Sequence, residues 1–305
     1  MSLSQSQPLR LRIAAIDFLN PAPLMWDFEH EPEQSRLAER YSIHRTMPSE
    51  CAAQLENGTA DIGLVPIASC ATTPDLSIIP GCTIASLDSV RSILLVMRKA
   101  QGAGEVRTVA VDTSSRTSLV YMQILFRRYW LGQPRYVPHA PDLAAMLEHC
   151  DAALLIGDPA LLALEDASAR EVRTGETLNY LDLAHEWKQR TGTPWVSALW
   201  AVRNEALRTV DLSAQSVIDH FVRSRDHGLM HINDLALEWE AKISLSREAI
   251  RSYLTNNIHY VLDESCLEGM ELFFRYAAEC GVLPGPPALS WLGTKSAQQV
   301  RVAAR

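Results

Sequence analysis

The pattern that points to the architecture begins with residues 9–30, LRLRIAAIDFLNPAPLMWDFEH. The unbroken apolar run at 9–16 is typical of a strand buried on both faces of a parallel sheet, and the Asn- and Pro-rich turn after it leads into an apolar helix. The order repeats with a strand at 41–45, a helix at 48–57 and a short apolar strand at 60–66. Strands that alternate with helices in this way predict a parallel sheet covered by helices.

The middle of the chain has the same order of elements. Strands are predicted at 108–112 and 135–139 with one long helix between them, and DAALLIGDPA at 151–160 predicts a strand that runs into a helix. Two further apolar runs, SILLVMRK at 92–99 and VSALWAVR at 196–203, lie at the ends of this second unit, and we expect the chain to cross between the units there. Two units with two connections place a ligand in the cleft between them.

These patterns predict an α/β protein of two lobes with mixed, mostly parallel sheets. Lobe I is assigned residues 1–97 and 198–305, and lobe II residues 98–197. From Ser213 onward the spacing of apolar residues is helical, and we expect these helices to pack back on lobe I. The last residues, 292–305, are expected to form a frayed tail.

Composition limits the classes of function that the chain can serve. Its 305 residues suffice for about two domains, and a hydrophobic content of 47% with 21% charged residues is that of a globular protein. With 28 Lys and Arg against 36 Asp and Glu, the formal net charge is -8. An acidic surface without a long basic run disfavours nucleic acid and anionic lipid as partners.

Targeting and redox signals point to the cytoplasm. The first apolar stretch is short and is broken at Asp17, so we expect no signal peptide, and no window is apolar enough for a membrane span. The six cysteines show no CxxC spacing and mostly lie in apolar runs, which is typical of reduced thiols in or near a core. We therefore expect a cytoplasmic protein with no membrane partner.

The sharpest local feature follows a predicted strand in the middle of the chain. Residues 112–118, DTSSRTS, bring several hydroxyls and one arginine to the start of a helix, where free backbone N–H groups and the helix dipole favour an anion. Ser115, Thr117 and Ser118 can donate hydrogen bonds, and the guanidinium of Arg116 matches a carboxylate. The alternative is a helix cap with a solvent-facing arginine, although a cap needs only one hydroxyl. We expect a carboxylate-binding site.

Polar residues near the ends of other strands are candidates for the same cleft. Asn20 and Asp17 lie in the turn after the first strand, where open α/β sheets present ligand-binding groups. Ser92 opens one apolar run, and Gly157 and Asp158 follow another. Each also has a purely structural interpretation, because Asn before Pro is common in turns and the others can cap the helices that follow.

Other chemistries find no support in the sequence. The phosphate-binding patterns GxxxxGK[ST] and GxGxxG, the zinc pattern HExxH and the nucleophile pattern GxSxG are all absent. His227 and His231 are one helical turn apart, and we interpret them as a surface pair rather than as metal ligands. The sequence therefore gives little support to a metal site and no positive evidence for covalent catalysis.

Six blocks of sequence together resemble one enzyme family. They are FLNPAPL at 18–24, GTADIGLVPIAS at 58–69, SVRSILLV at 89–96, VDTSSRTS at 111–118, DAALLIGDPAL at 151–161 and DLAHEWKQRTGTPWVSALWAVR at 182–203. In these blocks the chain resembles the chorismate dehydratases of the futalosine route to menaquinone. The resemblance implies a fold like that of class II periplasmic binding proteins, a cytoplasmic location, and removal of water from chorismate to give 3-[(1-carboxyvinyl)oxy]benzoate without metal or organic cofactor.

The resemblance also implies roles for individual residues. The residues that match the family's site are Asn20, Ser92, Ser115, Arg116, Thr117, Ser118, Gly157 and Asp158. The chain departs from the family where Asp17 and Phe18 replace the usual Ser-Tyr, Pro21 replaces Thr, and Ser69 replaces Glu. If Asp17 and Ser69 line the cleft, they bear on which chorismate relative is the substrate.

A mechanism can be outlined from these residues. We expect the cluster at 115–118 to anchor one substrate carboxylate, and Asn20 to orient the departing hydroxyl or the enolpyruvyl group. The base is either the substrate's own side-chain carboxylate or Asp17. A small dianion needs a locally positive cleft in this acidic protein, with the potential supplied by Arg116, backbone amides and Arg91.

Two functions other than catalysis remain open from the sequence. One is a non-catalytic cytoplasmic binding protein for a small carboxylate, built on the same two lobes. The other is an effector-sensing regulator, which would need a DNA-binding helix pair joined to the lobes. No basic helical pair precedes the first strand, so the sequence favours the enzyme and the binding protein over the regulator.

Overall fold

The computed structural model describes residues 10–98, 102–112 and 116–293. Its strands are β1 Leu11–Ile16, β2 Tyr41–Thr46, β3 Ile62–Pro66, β4 Leu76–Ser86, β5 Ile93–Arg98, β6 Thr108–Asp112, β7 Arg135–His139, β8 Ala152–Ile156, β9 Leu178–Asp182, β10 Trp195–Arg203, β11 His259–Val261 and β12 Ser290–Trp291. Its helices are α1 Trp26–Glu29, α2 Glu33–Leu37, α3 Pro48–Glu56, α4 Arg116–Leu125, α5 Leu143–His149, α6 Asp158–Glu165, α7 Ala167–Thr174, α8 Leu183–Thr191, α9 Ala214–Met230, α10 Ile232–Glu240, α11 Arg247–Ser252 and α12 Glu264–Glu279. Short 3-10 turns lie at Ala22–Met25, Ile67–Ala71, Ala103–Glu105 and Ala206–Arg208, and π-helical turns at Phe126–Trp130 and Tyr253–Asn257. No helix within the described ranges is long and apolar enough to cross a membrane.

The first sheet has the strand order β11-β4-β10-β3-β1-β2, with β12 paired to β4. β1 runs parallel to β2 and β3, and the predicted strands at 9–16, 41–45 and 60–66 are confirmed apart from a residue or two at their ends. β10 is antiparallel to both β3 and β4, so the sheet is mixed. The parallel strands bring their carboxyl ends to one edge of this sheet.

The second sheet has the strand order β7-β6-β8-β5-β9. β6 is parallel to β7 and β8, whereas β5 is antiparallel to β8 and β9. Each sheet thus combines parallel strands with antiparallel ones, which are β10 and β11 in the first sheet and β5 in the second, and this confirms an α/β fold with two mixed sheets. Parallel and antiparallel pairings are equally numerous among the described strands.

The connections between the sheets lie outside the two strands that were expected to cross. Among the described strands, β5 pairs only within the second sheet and β10 pairs only within the first. The chain therefore changes sheet between Ser86 and Ile93, and again between Asp182 and Trp195. A strand buried on both faces is apolar throughout, so its sequence does not reveal which sheet contains it. The lobe boundaries at 97/98 and 197/198 stay a prediction, and sheet membership favours boundaries a few residues earlier.

The longest strand, β4, has no counterpart in the sequence prediction. It contains Pro80 and Gly81, which usually end strands, and Gly81 has a φ of 88°. The register with β10 shifts between the pairs Leu199–Thr83 and Ala201–Ile78, so the Pro–Gly pair lies in an irregular stretch of the ladder. A bulge therefore lets one strand continue across residues that predict a turn.

One continuous core runs through helices and strands of both sheets. Tyr121 of α4, the helix after β6, stacks on Trp195 of β10 with 3.7 Å between ring centroids. The same ring lies 4.7 Å from Trp187 and 4.3 Å from Phe273 of α12. The Tyr121 hydroxyl accepts the N–H of Val196 at 3.2 Å. Aromatic side chains from α4, α8, β10 and α12 are thus buried together in one cluster.

Helix α9 fixes the turn that follows β1. Gly228 of α9 lies so close to Pro23 that a Cβ at Gly228 would be 2.0 Å from the Pro23 carbonyl oxygen. Ser224 Oγ donates to the carbonyl of Leu24 at 2.9 Å and accepts the N–H of Asp27 at 3.0 Å. The C-terminal helices pack on the first sheet, as the sequence predicts, and this one positions the segment that carries Asn20.

Candidate active site

A cavity lies between the two sheets and is lined by residues of both. Its walls are mostly apolar, and the polar side chains among them are Asn20, Ser92, Ser118 and Ser197. The other lining residues are Ile16, Phe18, Pro48, Pro66, Ile84, Ile93, Ile156, Gly157 and Ala198. Apolar walls with a few placed polar groups are typical of a small-molecule site.

The carboxyl ends of parallel strands supply much of this lining. In the first sheet, β1 ends at Ile16 and leads to Asn20, and β3 ends at Pro66. In the second sheet, β8 ends at Ile156 and is followed by Gly157. Ligands of open α/β sheets bind at such ends. The structure therefore brings together four of the residues predicted from sequence, which are Asn20, Ser92, Ser118 and Gly157.

A buried tyrosine contacts one of these residues. The Tyr253 hydroxyl donates to Ser92 Oγ at 2.8 Å. Burial raises the pKa of Tyr253 above its ordinary value, so the hydroxyl is protonated at neutral pH. Sequence analysis missed Tyr253, because it lies 161 residues from Ser92 in a helical segment without a local motif.

Gly157 and Asp158 connect the second sheet to the turn after β1. Asp158 Oδ1 accepts the N–H of Leu19 at 3.1 Å, although Asp158 itself does not line the cavity. Gly157 has a φ of 69°, and a Cβ there would lie 2.6 Å from the ring of Phe18, so glycine is required at this contact. Burial raises the pKa of Asp158 to about 6; the Leu19 N–H lowers it, and Asp17 adds a smaller rise.

The start of α4 is described from Arg116 onward, and Ser115 lies outside the described residues. Ser118 lines the cavity. Thr117 is fully buried, and its Oγ1 accepts the N–H of Ala68 at 3.1 Å, which ties α4 to the first sheet. Arg116 is exposed and is not among the lining residues. Binding of a substrate carboxylate by the cluster at 115–118 stays a prediction.

Charged side chains lie outside the walls of the cavity. None of the described residues that line it is charged. The side chain of Asp17 is 61% exposed and lies 3.7 Å from Arg45, whose guanidinium also donates twice to Glu29. The Arg91 side chain donates to Glu165 at 2.5 Å, so a carboxylate offsets the positive charge expected from it.

Comparison with known proteins identifies the family. A family model described as menaquinone biosynthesis matches residues 11–279. The chain belongs to this menaquinone biosynthesis family. It is similar to the chorismate dehydratase of Thermus thermophilus, with 28% identity over 258 residues, which cover 82% of this chain and 90% of that protein. The family resemblance seen in the sequence is confirmed.

Solved structures confirm that this family member has the fold of periplasmic binding proteins. The periplasmic aliphatic sulphonate binding protein SsuA of Escherichia coli matches with a TM-score of 0.63 and 17% identity, over 95% of this chain and 96% of that one. Protein AF1704 from Archaeoglobus fulgidus matches with a TM-score of 0.67 and 16% identity, over 90% and 98% of the two chains. At such identities the likeness concerns the fold alone.

Two of this chain's departures from the family pattern lie away from the cavity walls. Neither Asp17 nor Ser69 is a lining residue. Ser69 is 1% exposed, and its hydroxyl has no hydrogen-bond partner within the part of the chain that the structure describes. Phe18 does line the cavity, where it packs against Gly157.

One group of ligand-type side chains occurs outside the cavity. His259 Nε2 and Asp263 Oδ2 are 2.9 Å apart, and Cys266 places its sulfur within 4.8 Å of both. Asp263 Oδ1 accepts the N–H of Cys266 at 2.9 Å and the hydroxyl of Ser265 at 2.8 Å, which makes Asp263 the N-cap of α12. These bonds employ both carboxylate oxygens, so we assign the group a structural role.

Proposed function

We propose that this chain is a chorismate dehydratase, which converts chorismate to 3-[(1-carboxyvinyl)oxy]benzoate and water in the futalosine route to menaquinone. The observation that carries the proposal is the convergence of Asn20, Ser92, Ser118 and Gly157 on one cavity in a member of a menaquinone biosynthesis family. The similarity to a chorismate dehydratase supports the same reaction here.

The substrate is a small dianion, and we assign one of its carboxylates to the start of α4. Ser118 lies in the first turn of α4 and lines the cavity, so the free N–H groups of that turn are near the bound molecule. Ser115, Arg116 and Thr117 belong to the same segment, with Arg116 reaching the carboxylate from outside the walls. Gly157 lines the site from the opposite sheet, and Asp158 supports it there by accepting the N–H of Leu19.

The reaction needs orientation and one assisted proton transfer, because loss of the C4 hydroxyl and the C3 proton makes the ring aromatic. The described lining residues include no carboxylate, histidine or lysine, and Asp17 is 61% exposed beside Arg45. This supports the substrate's own enolpyruvyl carboxylate as the base, in preference to Asp17. Asn20 then orients the departing hydroxyl, and the apolar walls exclude bulk water.

A cytoplasmic location accompanies this function. All six cysteines are free, and four of them are buried, which supports a reducing compartment. The partner is the small-molecule substrate alone, without nucleic acid or membrane.

The ultraviolet spectrum tests the proposal, because aromatisation of chorismate changes its absorption. We expect purified protein to convert chorismate without added metal or cofactor, and mass spectrometry to find a product lighter by one water. Folded protein that leaves chorismate unchanged would overturn the dehydratase assignment.

The second candidate is a non-catalytic binding protein for a small carboxylate. The uncharged, mostly apolar lining favours it, because a receptor needs no proton acceptor in its walls. Thermal-shift measurements separate the two functions. Stabilisation by chorismate together with its conversion supports the enzyme, whereas stabilisation by a carboxylate that is recovered unchanged supports the receptor.

A further inference from the structure

The C-terminal part of the chain reaches the cavity through one π-helical turn, Tyr253–Asn257. Tyr253 is 1% exposed, and its hydroxyl contacts Ser92. At the other end of the turn, Asn257 Nδ2 donates to the carbonyl of Ser89 at 3.0 Å. The turn therefore supports, at two points, the connection that leads into β5. π-Helical turns recur at functional sites because they alter where a side chain projects from a helix.

The hydrogen bond between Tyr253 and Ser92 has a defined direction. A phenol has one proton, and Tyr253 donates it to Ser92 Oγ at 2.8 Å.

This direction determines what Ser92 can offer to a bound molecule. Ser92 accepts from Tyr253, so its own hydroxyl proton remains available as a donor on the cavity side. A hydroxyl donor in the cavity wall matches an alcohol oxygen, which accepts a hydrogen bond.

We propose that Tyr253 is a positioning residue for the proposed dehydration, and that it fixes Ser92 as donor to the hydroxyl group that leaves the substrate. The inference rests on the proposed function. As the C4–O bond breaks, its electron pair goes to oxygen, and the Ser92 proton stabilises the charge that develops there. The C3 proton goes to the substrate's carboxylate, and this proton and the departing hydroxide make up the released water.

Tyr253→Phe tests the inference, because it removes the hydroxyl and keeps the ring. Ser92 is then free to rotate its proton away from the substrate. We expect kcat to fall by about tenfold to a hundredfold while KM changes by less than about threefold, because the carboxylates of the substrate are bound elsewhere. Steady-state kinetics with chorismate measure both constants.

Tyr260→Phe is the matched control. Tyr260 is also buried, and its hydroxyl has no hydrogen-bond partner among the described residues, so Phe at this position should leave kcat and KM unchanged. An equal loss of kcat in both tyrosine variants would overturn the inference, because it would show a general effect of altering this part of the core.

A double-mutant cycle with Ser92→Ala tests whether Tyr253 acts through Ser92. We expect Ser92→Ala to reduce kcat at least as much as Tyr253→Phe, and the double variant to be no worse than Ser92→Ala alone. Full kcat in Ser92→Ala, or additive losses in the double variant, would overturn the inference. Ser92→Ala also supplies the test if Tyr253→Phe does not fold.

The failure of this inference is distinguishable from that of the proposed function. Wild-type protein that leaves chorismate unchanged overturns both. Wild-type turnover together with an unchanged kcat in Tyr253→Phe overturns the inference alone and leaves the dehydratase assignment in place.

Discussion

Asn20 is the side chain on which the proposed chemistry depends most, and several contacts position it. The preceding N–H of Leu19 donates to Asp158 across the cavity. The 3-10 turn that follows is covered by α9 through Gly228. An amide here supplies both a donor and an acceptor, whereas a carboxylate supplies acceptors only.

Asn20→Asp should lower kcat by about a hundredfold or more, because a carboxylate lacks the amide donor and its negative charge repels the dianionic substrate. KM should also rise. Steady-state kinetics with chorismate measure both, and Asn256→Asp, at an exposed position, is the control that should retain wild-type constants. Wild-type rates in Asn20→Asp would contradict the role given to Asn20.

Arg116→Ala should raise KM by about tenfold with a smaller change in kcat, because a charge-assisted bond to a carboxylate contributes on the order of 1.5 kcal/mol or more to binding. Arg135→Ala, which also removes an exposed arginine, is the control. Unchanged kinetics in Arg116→Ala would make Arg116 a solvent-facing residue of a helix cap.

At the residue scale, the sequence indicated which side chains reach the cavity where such a residue follows a strand; their roles stay predictions. Asn20 and Gly157 follow predicted strands, and both residues line the same cavity in the structure. Tyr253 could not be found in this way, since its contact with Ser92 arises only from tertiary packing. Arg116 was selected for its chemistry, which does not reveal the direction in which an exposed side chain extends.

At the scale of elements, uniform apolar runs predicted strands better than they predicted sheet membership. β1, β6 and β7 lie where the sequence places them, to within two residues. β4 was not predicted, because the Pro80–Gly81 pair at its bulge is typical of a turn. The long helix expected at 114–132 divides into α4 and a π-helical turn that ends at Trp130. Local pattern does not encode these irregularities, which depend on packing against distant parts of the chain.

The packing of α9 on the turn after β1 gives a prediction at this scale. Gly228→Ala should destabilise the protein by about 3 kcal/mol or more, because the added Cβ would overlap the Pro23 carbonyl and both backbones must move apart. Activity should fall as well, since the displaced turn carries Asn20. Urea unfolding measures the stability.

Gly102→Ala is the matched control for that change. A Cβ at Gly102 meets only the Glu105 side chain, at 3.8 Å, so the free energy of unfolding should change little. Equal stability of Gly228→Ala and the wild type would contradict the close approach of α9 to this turn.

At the scale of the whole molecule, hydrogen bonds across the cavity hold the sheets in one arrangement. Asp158 accepts the N–H of Leu19 from the opposite side, and Thr117 accepts the N–H of Ala68. Asp158 carries an energetic cost, because burial raises its pKa to about 6. Between about pH 4 and pH 6 the folded protein binds that proton more tightly than the unfolded chain, so stability falls as pH rises through this range.

Asp158→Asn should therefore be more stable than the wild type at pH 8, by on the order of 2 kcal/mol, and equally stable near pH 4. The amide oxygen can still accept the Leu19 N–H, and the variant cannot ionise. Urea unfolding at the two pH values measures the difference, with Asp211→Asn, at an exposed position, as the control. The same difference at both pH values would contradict the prediction.

The aromatic cluster around Tyr121 affects how the protein unfolds. Tyr121, Trp187, Trp195 and Phe273 are all fully buried and come from β10 of the first sheet and from the helices α4, α8 and α12. Of these helices, α8 also contacts β5 and β9 of the second sheet, so the cluster joins the two halves of the molecule. Heat should therefore produce one cooperative transition, with equal calorimetric and van't Hoff enthalpies, where two independently stable lobes would give two. Such coupling also opposes a wide separation of the two sheets and favours entry to the cavity by small local movements at its mouth.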